Sequence, residues 1–414
     1  MVKTIVTITP LSVEKDSRTY KQAVSVARFG YKSIVVEGQK SDISQNDLPF
    51  NLISISKAEF QKKIEDHIPS NHIQSRENII TKYIRKIRKS TFAVLFDFIY
   101  TRIFQYFLLT LYHTPRADLY YLHAFYQFPA IYILSKIYGV SYIYDAHDYY
   151  SKMQESPIPN LLQRMITKIN WLTESVCIKN AVHVICVSNG IAELLMSDFG
   201  RSGIVVRNCQ DTRLDIATGQ SLRKSLELGD DIFLLATVGN AKPGQGIEEM
   251  IAAINKLPEC VHIACVGNNY EEFLTSNNGV KKRIHLVHPV KPYEIVPFIK
   301  SADVSIILYF PSSINNYLAL PNKLFQFINA GLPILYPIDL PEIKKIAEEY
   351  QIGLPINTKI PESIEKAILT LKNNRNQLSM FKKNLYKANL ELNWENEEKI
   401  LKGLYYQLLE GNTP

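Results

Sequence analysis

The chain has 414 residues, 46% of them hydrophobic and 21% charged. That length exceeds one ordinary core and suits two domains of about 150–200 residues each, and the balance excludes a disordered chain. A net charge of +7, from 47 basic and 40 acidic residues, does not by itself point to nucleic acid and fits anionic ligands or anionic lipid.

In chain order, segment 2–9 reads as a first β-strand and not as a signal peptide, because no basic stretch leads into a long apolar one. A helix follows, with Asp16 or Ser17 as N-cap and Gly30 at its end. Further strands are expected at 33–37, 118–123, 141–145, 182–187 and 204–207. Segments 91–113 and 119–138 approach membrane-like hydrophobicity. Asp97 and Arg102 interrupt the first, and His123, Pro129 and Lys136 the second, so neither offers an apolar span of about 20 residues.

The polar stretch 208–230 reads as an interdomain region. Strand patterning then restarts at 232–238, 261–266, 283–287, 303–308 and 333–336, each run followed by a helical pattern. The tail, 363–409, is helical in pattern with a polar break at 389–393, just before Trp394. This alternation implies parallel strands joined by right-handed crossovers. The expected fold is α/β, with two Rossmann-like doubly wound domains at 1–210 and 211–390 facing across a cleft. A terminal helix in 391–414 is expected to cross back onto the first. The five cysteines, Cys177, Cys186, Cys209, Cys260 and Cys265, form no CxxC pair and mostly lie in apolar runs. They read as reduced core residues of a cytoplasmic protein.

Two open parallel sheets bind ligands at the carboxyl ends of their strands, so the chemistry is sought in three strand-end loops. In "YDAHD", His147 lies between Asp145 and Asp148, and a histidine with an acidic neighbour can orient a hydroxyl or a leaving oxygen. In "VGNAKPGQGIEE", a Gly-rich turn leads from a strand into a helix. Its glycines Gly239, Gly244 and Gly246 let backbone approach a phosphate, the helix N-terminus favours an anion, and Lys242 adds a cation. In "LALPNKLFQFINAGLP", Pro321 fits a first helical turn and Gly331 a helix end. Lys323 and Gln326 lie three apart on one face of that helix, placed to meet a diphosphate and ribose hydroxyls.

With these motifs in order, the chain resembles the group-1 (family 4, retaining) GT-B glycosyltransferases, in the variant with a Pro-Asn-Lys nucleotide-binding helix. "DSRTYKQAVSVARFGYKSIVVEG" resembles the opening helix and second strand, with Asp16 and Arg18 at the Asp-x-Arg. "IYDAHD" resembles the loop bearing the sugar-site histidine, "VICVSNGIAELL" a strand–helix turn, and "VVRNCQD" the Asn-containing linker. "VGNAKPGQGIEEMIAAI" resembles the phosphate-binding turn, and "LPNKLFQFINAGLPIL" the nucleotide helix. The family usually has Arg and Lys where this chain has Asn240 and Gln245, and two glutamates where it has Leu318 and Gln326.

The resemblance implies sugar transfer from a UDP- or GDP-linked donor to a saccharide or polyprenyl-linked acceptor in cell-surface polysaccharide synthesis. It further implies retention of configuration, no metal and no cofactor. His147, Asp148 and Lys323 are the expected catalytic residues. The donor is expected to meet Gly239, Asn240, Lys242, Gly244, Gln245, Gly246, Asn322, Lys323, Leu324 and Gln326. The basic, aromatic stretch 76–113 suggests peripheral contact with the inner face of the cytoplasmic membrane. A catalytically degenerate scaffold subunit and a GT-B nucleotide-sugar epimerase remain as alternatives.

Overall fold

The computed structural model describes residues 2–55, 99–150, 161–217, 219–274 and 282–411. Among these residues, apolar runs become two wholly parallel sheets. The first holds seven strands: β1 (Thr4–Thr9), β2 (Lys32–Glu37), β3 (Asn51–Ser54), β4 (Leu119–His123), β5 (Tyr142–Ala146), β6 (His183–Cys186) and β7 (Ile204–Val205), in the order β3-β2-β1-β4-β5-β6-β7. The second holds six: β8 (Phe233–Val238), β9 (Val261–Val266), β10 (Ile284–Val287), β11 (Val304–Ile306), β12 (Ile334–Pro337) and β13 (Gly353–Ile356), in the order β10-β9-β8-β11-β12-β13. Each order reverses once, between β1 and β4 and between β8 and β11, and such reversals open the crevice that takes ligands.

The helices used below are α1 (Ser17–Arg28), α2 (Phe128–Tyr138), α3 (Leu161–Asn180), α4 (Asn189–Phe199), α5 (Ile247–Lys256), α6 (Ile314–Leu318), α7 (Asn322–Ala330), α8 (Pro341–Tyr350), α9 (Pro361–Asn373), α10 (Arg375–Glu391) and α11 (Trp394–Leu409). Capping follows the sequence signals. The Asp16 side chain accepts from the Thr19 amide at the start of α1, and Gly30 has φ +87° beyond its end. Pro321 caps α7 from outside the helix, in extended conformation, and Gly331 ends that helix with φ +69°.

Beyond the expected break, the tail divides again at Asn374, whose side chain caps α10. Trp394 opens α11 and is fully buried. It packs with Leu401 and Tyr405 against Ile5, Tyr121 and Ile143 of the first sheet, so the last helix does cross back onto the first half of the chain. All five cysteines are free, and four are buried.

Among the described residues no helix is long and apolar enough to cross a membrane. Part of the expected membrane-contact stretch, 76–98, lies outside the described residues. Its remainder forms a π-type turn (Thr101–Leu109) running into a short helix (Thr110–His113), with Ile103, Leu108 and Tyr112 exposed.

Candidate functional site

The loops leaving β1, β4 and β5 meet at the first switch point. Asp145, at the end of β5, is fully buried. Its Oδ2 accepts from Arg18 Nε at 2.9 Å and from the Tyr121 hydroxyl at 2.7 Å. Arg18, also buried, donates from Nη1 to the Val206 carbonyl at 2.9 Å. Burial alone would raise the Asp145 pKa, but the Arg18 charge and contacts with His147 and His123 hold it well below the usual carboxylate range.

His147 is set between two partners. Its Nδ1 lies 3.7 Å from Asp145 Oδ1, and its Nε2 is 2.6 Å from the Tyr150 hydroxyl. Burial opposes its protonated form, but the hydrogen bond and charge of Asp145, then the charges of Asp148 and Asp16, raise its pKa. Its neighbour His123 behaves in the opposite way: fully buried and, among the described residues, with no hydrogen bond to either ring nitrogen, it is pushed down to about 4, burial outweighing the pull of Asp145 and Asp16.

His123, Asp145 and His147 are also the one group among the described residues that could hold a metal, their ligand atoms lying within 4.8 Å of one another. The Arg18 guanidinium on Asp145 works against this, because a fixed positive charge already occupies the carboxylate.

On the other side of the cleft, the turn after β8 and the start of α7 approach each other. A Cβ built on Gly239, which has φ +108°, would lie 3.5 Å from Lys323 Nζ, so the missing side chain leaves room for the amine above the turn. Gly246, with φ +78°, caps α5, and a Cβ there would come within 2.7 Å of the Thr358 carbonyl oxygen. The Lys323 amine is pushed down to about 8, first by burial and then by the like charge of Lys242. Neither lysine has a side-chain hydrogen bond or ion pair among the described residues, so both are available to an anion.

The remaining expected donor residues divide by geometry. Asn240 Oδ1 accepts from the Asn268 amide at 3.0 Å, and Gln245 Oε1 from the Lys242 amide at 3.1 Å. Both side chains therefore hold loop shape where the resemblance would put cations. Gln326 lies one turn along α7 from Lys323 and is partly exposed. The Leu324 side chain is fully buried in the core, and its amide donates to the Pro321 carbonyl. Any contact of Leu324 with a donor would therefore be through its backbone, since the apolar side chain turns inward.

Between the two halves lies a cavity of about 290 Å³. Lys15, Asp16, Arg18, His147 and Asp148 line one wall, and Tyr309, Asn315, Pro321 and Asn322 the other. Gly239, Lys242 and Lys323 are not among its lining residues. Asn322 Oδ1 accepts from Asn208 Nδ2 of the linker at 2.5 Å. Asn315 reaches across: its Oδ1 accepts from the Tyr149 amide at 2.7 Å and its Nδ2 donates to Asp148 Oδ1 at 3.0 Å. Lys15, Tyr150 and Asn315 were not singled out from sequence. A lysine, a tyrosine and an asparagine carry no signal until chain segments far apart in sequence are brought together.

The fold has known counterparts. Sucrose-phosphate synthase from Thermosynechococcus elongatus superposes with a TM-score of 0.68 over 99% of this chain and 99% of that one, at 14% identity. HepE of Anabaena, solved in complex with UDP and glucose, gives 0.65 over 97% and 99%, at 13% identity. WaaG, a glycosyltransferase involved in lipopolysaccharide biosynthesis, gives 0.62 over 97% and 99%, at 14% identity. The chain has the GT-B fold. At these identities the likeness speaks for the fold alone.

No protein-family model matches the chain. In sequence, the chain is 26% identical over 238 residues to TuaH of Bacillus subtilis (strain 168), provisionally named a teichuronic acid biosynthesis glycosyltransferase. That match covers 54% of this chain and 57% of the relative.

Proposed function

We propose that the chain is a glycosyltransferase of cell-surface polysaccharide synthesis, moving a sugar from a nucleotide-diphosphate-sugar to a saccharide or lipid-linked acceptor. The observation that carries this reading is Lys323, its amine beside Gly239 and within the field of Lys242, with neither lysine paired to a side chain among the described residues, and Asn322, next to Lys323 in the chain, lining a cavity whose other wall presents His147. The teichuronic acid name of the sequence relative and the lipopolysaccharide role printed for WaaG support the polysaccharide setting. HepE is named in complex with UDP and glucose, which supports a nucleotide-sugar as donor, and UDP or GDP is the base we favour.

In the proposed reaction the acceptor hydroxyl oxygen bonds to the anomeric carbon and its proton passes to the departing diphosphate oxygen. The bond from that carbon to the diphosphate breaks with its electron pair on the diphosphate oxygen, so negative charge builds there. Lys323, Lys242 and the Gly244–Gly246 backbone would meet that charge in the transition state. Lys15, which has no side-chain partner among the described residues and lines the opposite wall, is placed to contribute a third cation in place of the one missing at Asn240. Gln326 would hold ribose through its amide. His147, oriented by Asp145 and Tyr150, would position the sugar. We propose a metal-independent, retaining transfer by a cytoplasmic enzyme.

A thermal-shift panel of UDP-, GDP-, ADP- and CMP-sugars without added metal tests the donor site. A matched donor at 100 times its dissociation constant should stabilise the protein by about 2.7 kcal/mol. No shift with any of the four counts against the reading.

A further inference from the structure

The helix α6 belongs to the donor half but makes polar contacts with the acceptor half at both of its ends. Asn315 is buried, and both ends of its carboxamide reach across the cleft, Oδ1 accepting from the Tyr149 amide and Nδ2 donating to Asp148. At the other end of the same helix the Leu318 carbonyl accepts from Ser188 Oγ at 2.8 Å, and beside it the Gly190 amide donates to Glu342 Oε1 at 2.8 Å. That amide is one of the orphan donors at the start of α4, satisfied from the opposite half of the molecule.

On its own side α6 is tied down as well. Ser313 caps it, and the Tyr309 hydroxyl donates to Asn316 Oδ1 at 3.1 Å. Three residues separate the end of α6 from the start of α7, which carries Lys323. One short helix is thus joined rigidly to the donor site and clasped to the residues that directly follow His147.

We propose that Asn315 is a closure clasp. It holds the cleft shut and sets the His147 loop in register with the donor helix, so that His147 is correctly placed only when the two halves are closed. This rests on reading the cleft as the transfer site, but the clasp itself is a property of the folded chain without ligand. Asn315 is a positioning residue acting through His147 and Asp148. Asp148, in turn, works chiefly through this clasp rather than on the sugar.

Amide hydrogen exchange on the full chain tests it without any ligand. Asn315→Asp keeps an acceptor for the Tyr149 amide but sets two carboxylates about 3 Å apart, which repel. In Asp148→Asn/Asn315→Asp the carboxamide and the carboxylate exchange places, and the donor–acceptor pair is restored. The expected result is faster exchange, by about tenfold, in two separate peptides of Asn315→Asp. One spans 147–150, at the clasp; the other spans 188–191, at the remote contact. Both should return to within about twofold of wild type in the double variant. All three proteins should keep a cooperative melt.

Unchanged exchange at 188–191 in Asn315→Asp would show a local contact and no closure, and overturn the proposal. So would failure of the reciprocal pair to restore it. If Asn315→Asp does not fold, Asn315→Ser is measured against wild type at the same two peptides, with the same criterion. A chain that passes this test and binds no nucleotide-sugar keeps the clasp and loses the transferase reading.

Discussion

Arg18 and Asp145 form a buried ion pair, Nε to Oδ2 at 2.9 Å, between the first helix and the end of the fifth strand. Neither side chain is more than 2% exposed, so removing one partner leaves an uncompensated buried charge. Arg18→Met is expected to destabilise the protein by about 3–5 kcal/mol, read from equilibrium denaturation at pH 7. The pair also sets an acid dependence. The Asp145 carboxyl is held below its unfolded value of about 3.9, so its contribution is fully present above that value. It is lost as pH falls through the lower folded value. The gap between wild type and Arg18→Met should therefore narrow with acidification.

His147 should matter to turnover more than to stability. Its two ring nitrogens face Asp145 and the Tyr150 hydroxyl, which fixes the imidazole against the cavity wall. His147→Ala is expected to lower kcat by about 10²–10⁴-fold. Tyr150→Phe, which removes one hydrogen bond of about 1 kcal/mol, should cost about fivefold. Steady-state kinetics on both variants, with melting temperature as the control for folding, checks this.

Both sheets were readable in sequence because parallel strands covered on both faces are near-continuous apolar runs. Two strands escaped, β3 (Asn51–Ser54) and β13 (Gly353–Ile356), and both stand at sheet edges. An edge strand pairs on one side only and tolerates Asn51, Gly353 and Pro355, which hide it from a pattern search. In the site, the strand-end loops were legible from their glycines and from His147. The Arg18–Asp145 pair spans 127 residues and the Asn315–Asp148 contact 167, and no local spacing reports such meetings. Leu324 shows the converse: it lies in the first turn of α7, beside Lys323, yet its side chain belongs to the core.

Lys323 supplies a pH dependence with a definite sign. Burial and Lys242 bring its amine down to about 8. A bound diphosphate would restore the charged form, so binding takes up a proton above that pH. Donor affinity should be flat from pH 6 to 7 and weaken toward about tenfold per pH unit above 8. Lys323→Arg, charged throughout, should flatten the curve. Calorimetric titration at four pH values in two buffers of different ionisation enthalpy would measure both affinity and proton uptake, and affinity independent of pH up to 10 would rule out this role for Lys323.

Gln326 stands where the family resemblance puts a glutamate. A carboxylate makes a stronger hydrogen bond to ribose hydroxyls than an amide does, by about 1 kcal/mol. Gln326→Glu is expected to tighten donor binding about fivefold, and a loss of binding on that change would place ribose elsewhere.

The central claim is that Lys323 and Lys242 bind and activate a nucleotide-sugar. Its most direct test is release of free nucleotide from UDP-, GDP-, ADP- and CMP-sugars by the purified full chain, wild type beside Lys323→Ala. The account predicts slow release from one base in the wild type, without added metal, and a fall of about 100-fold in the variant. Equal release by both proteins, or none from any donor together with no binding, would contradict it and favour a GT-B scaffold whose donor site has lapsed.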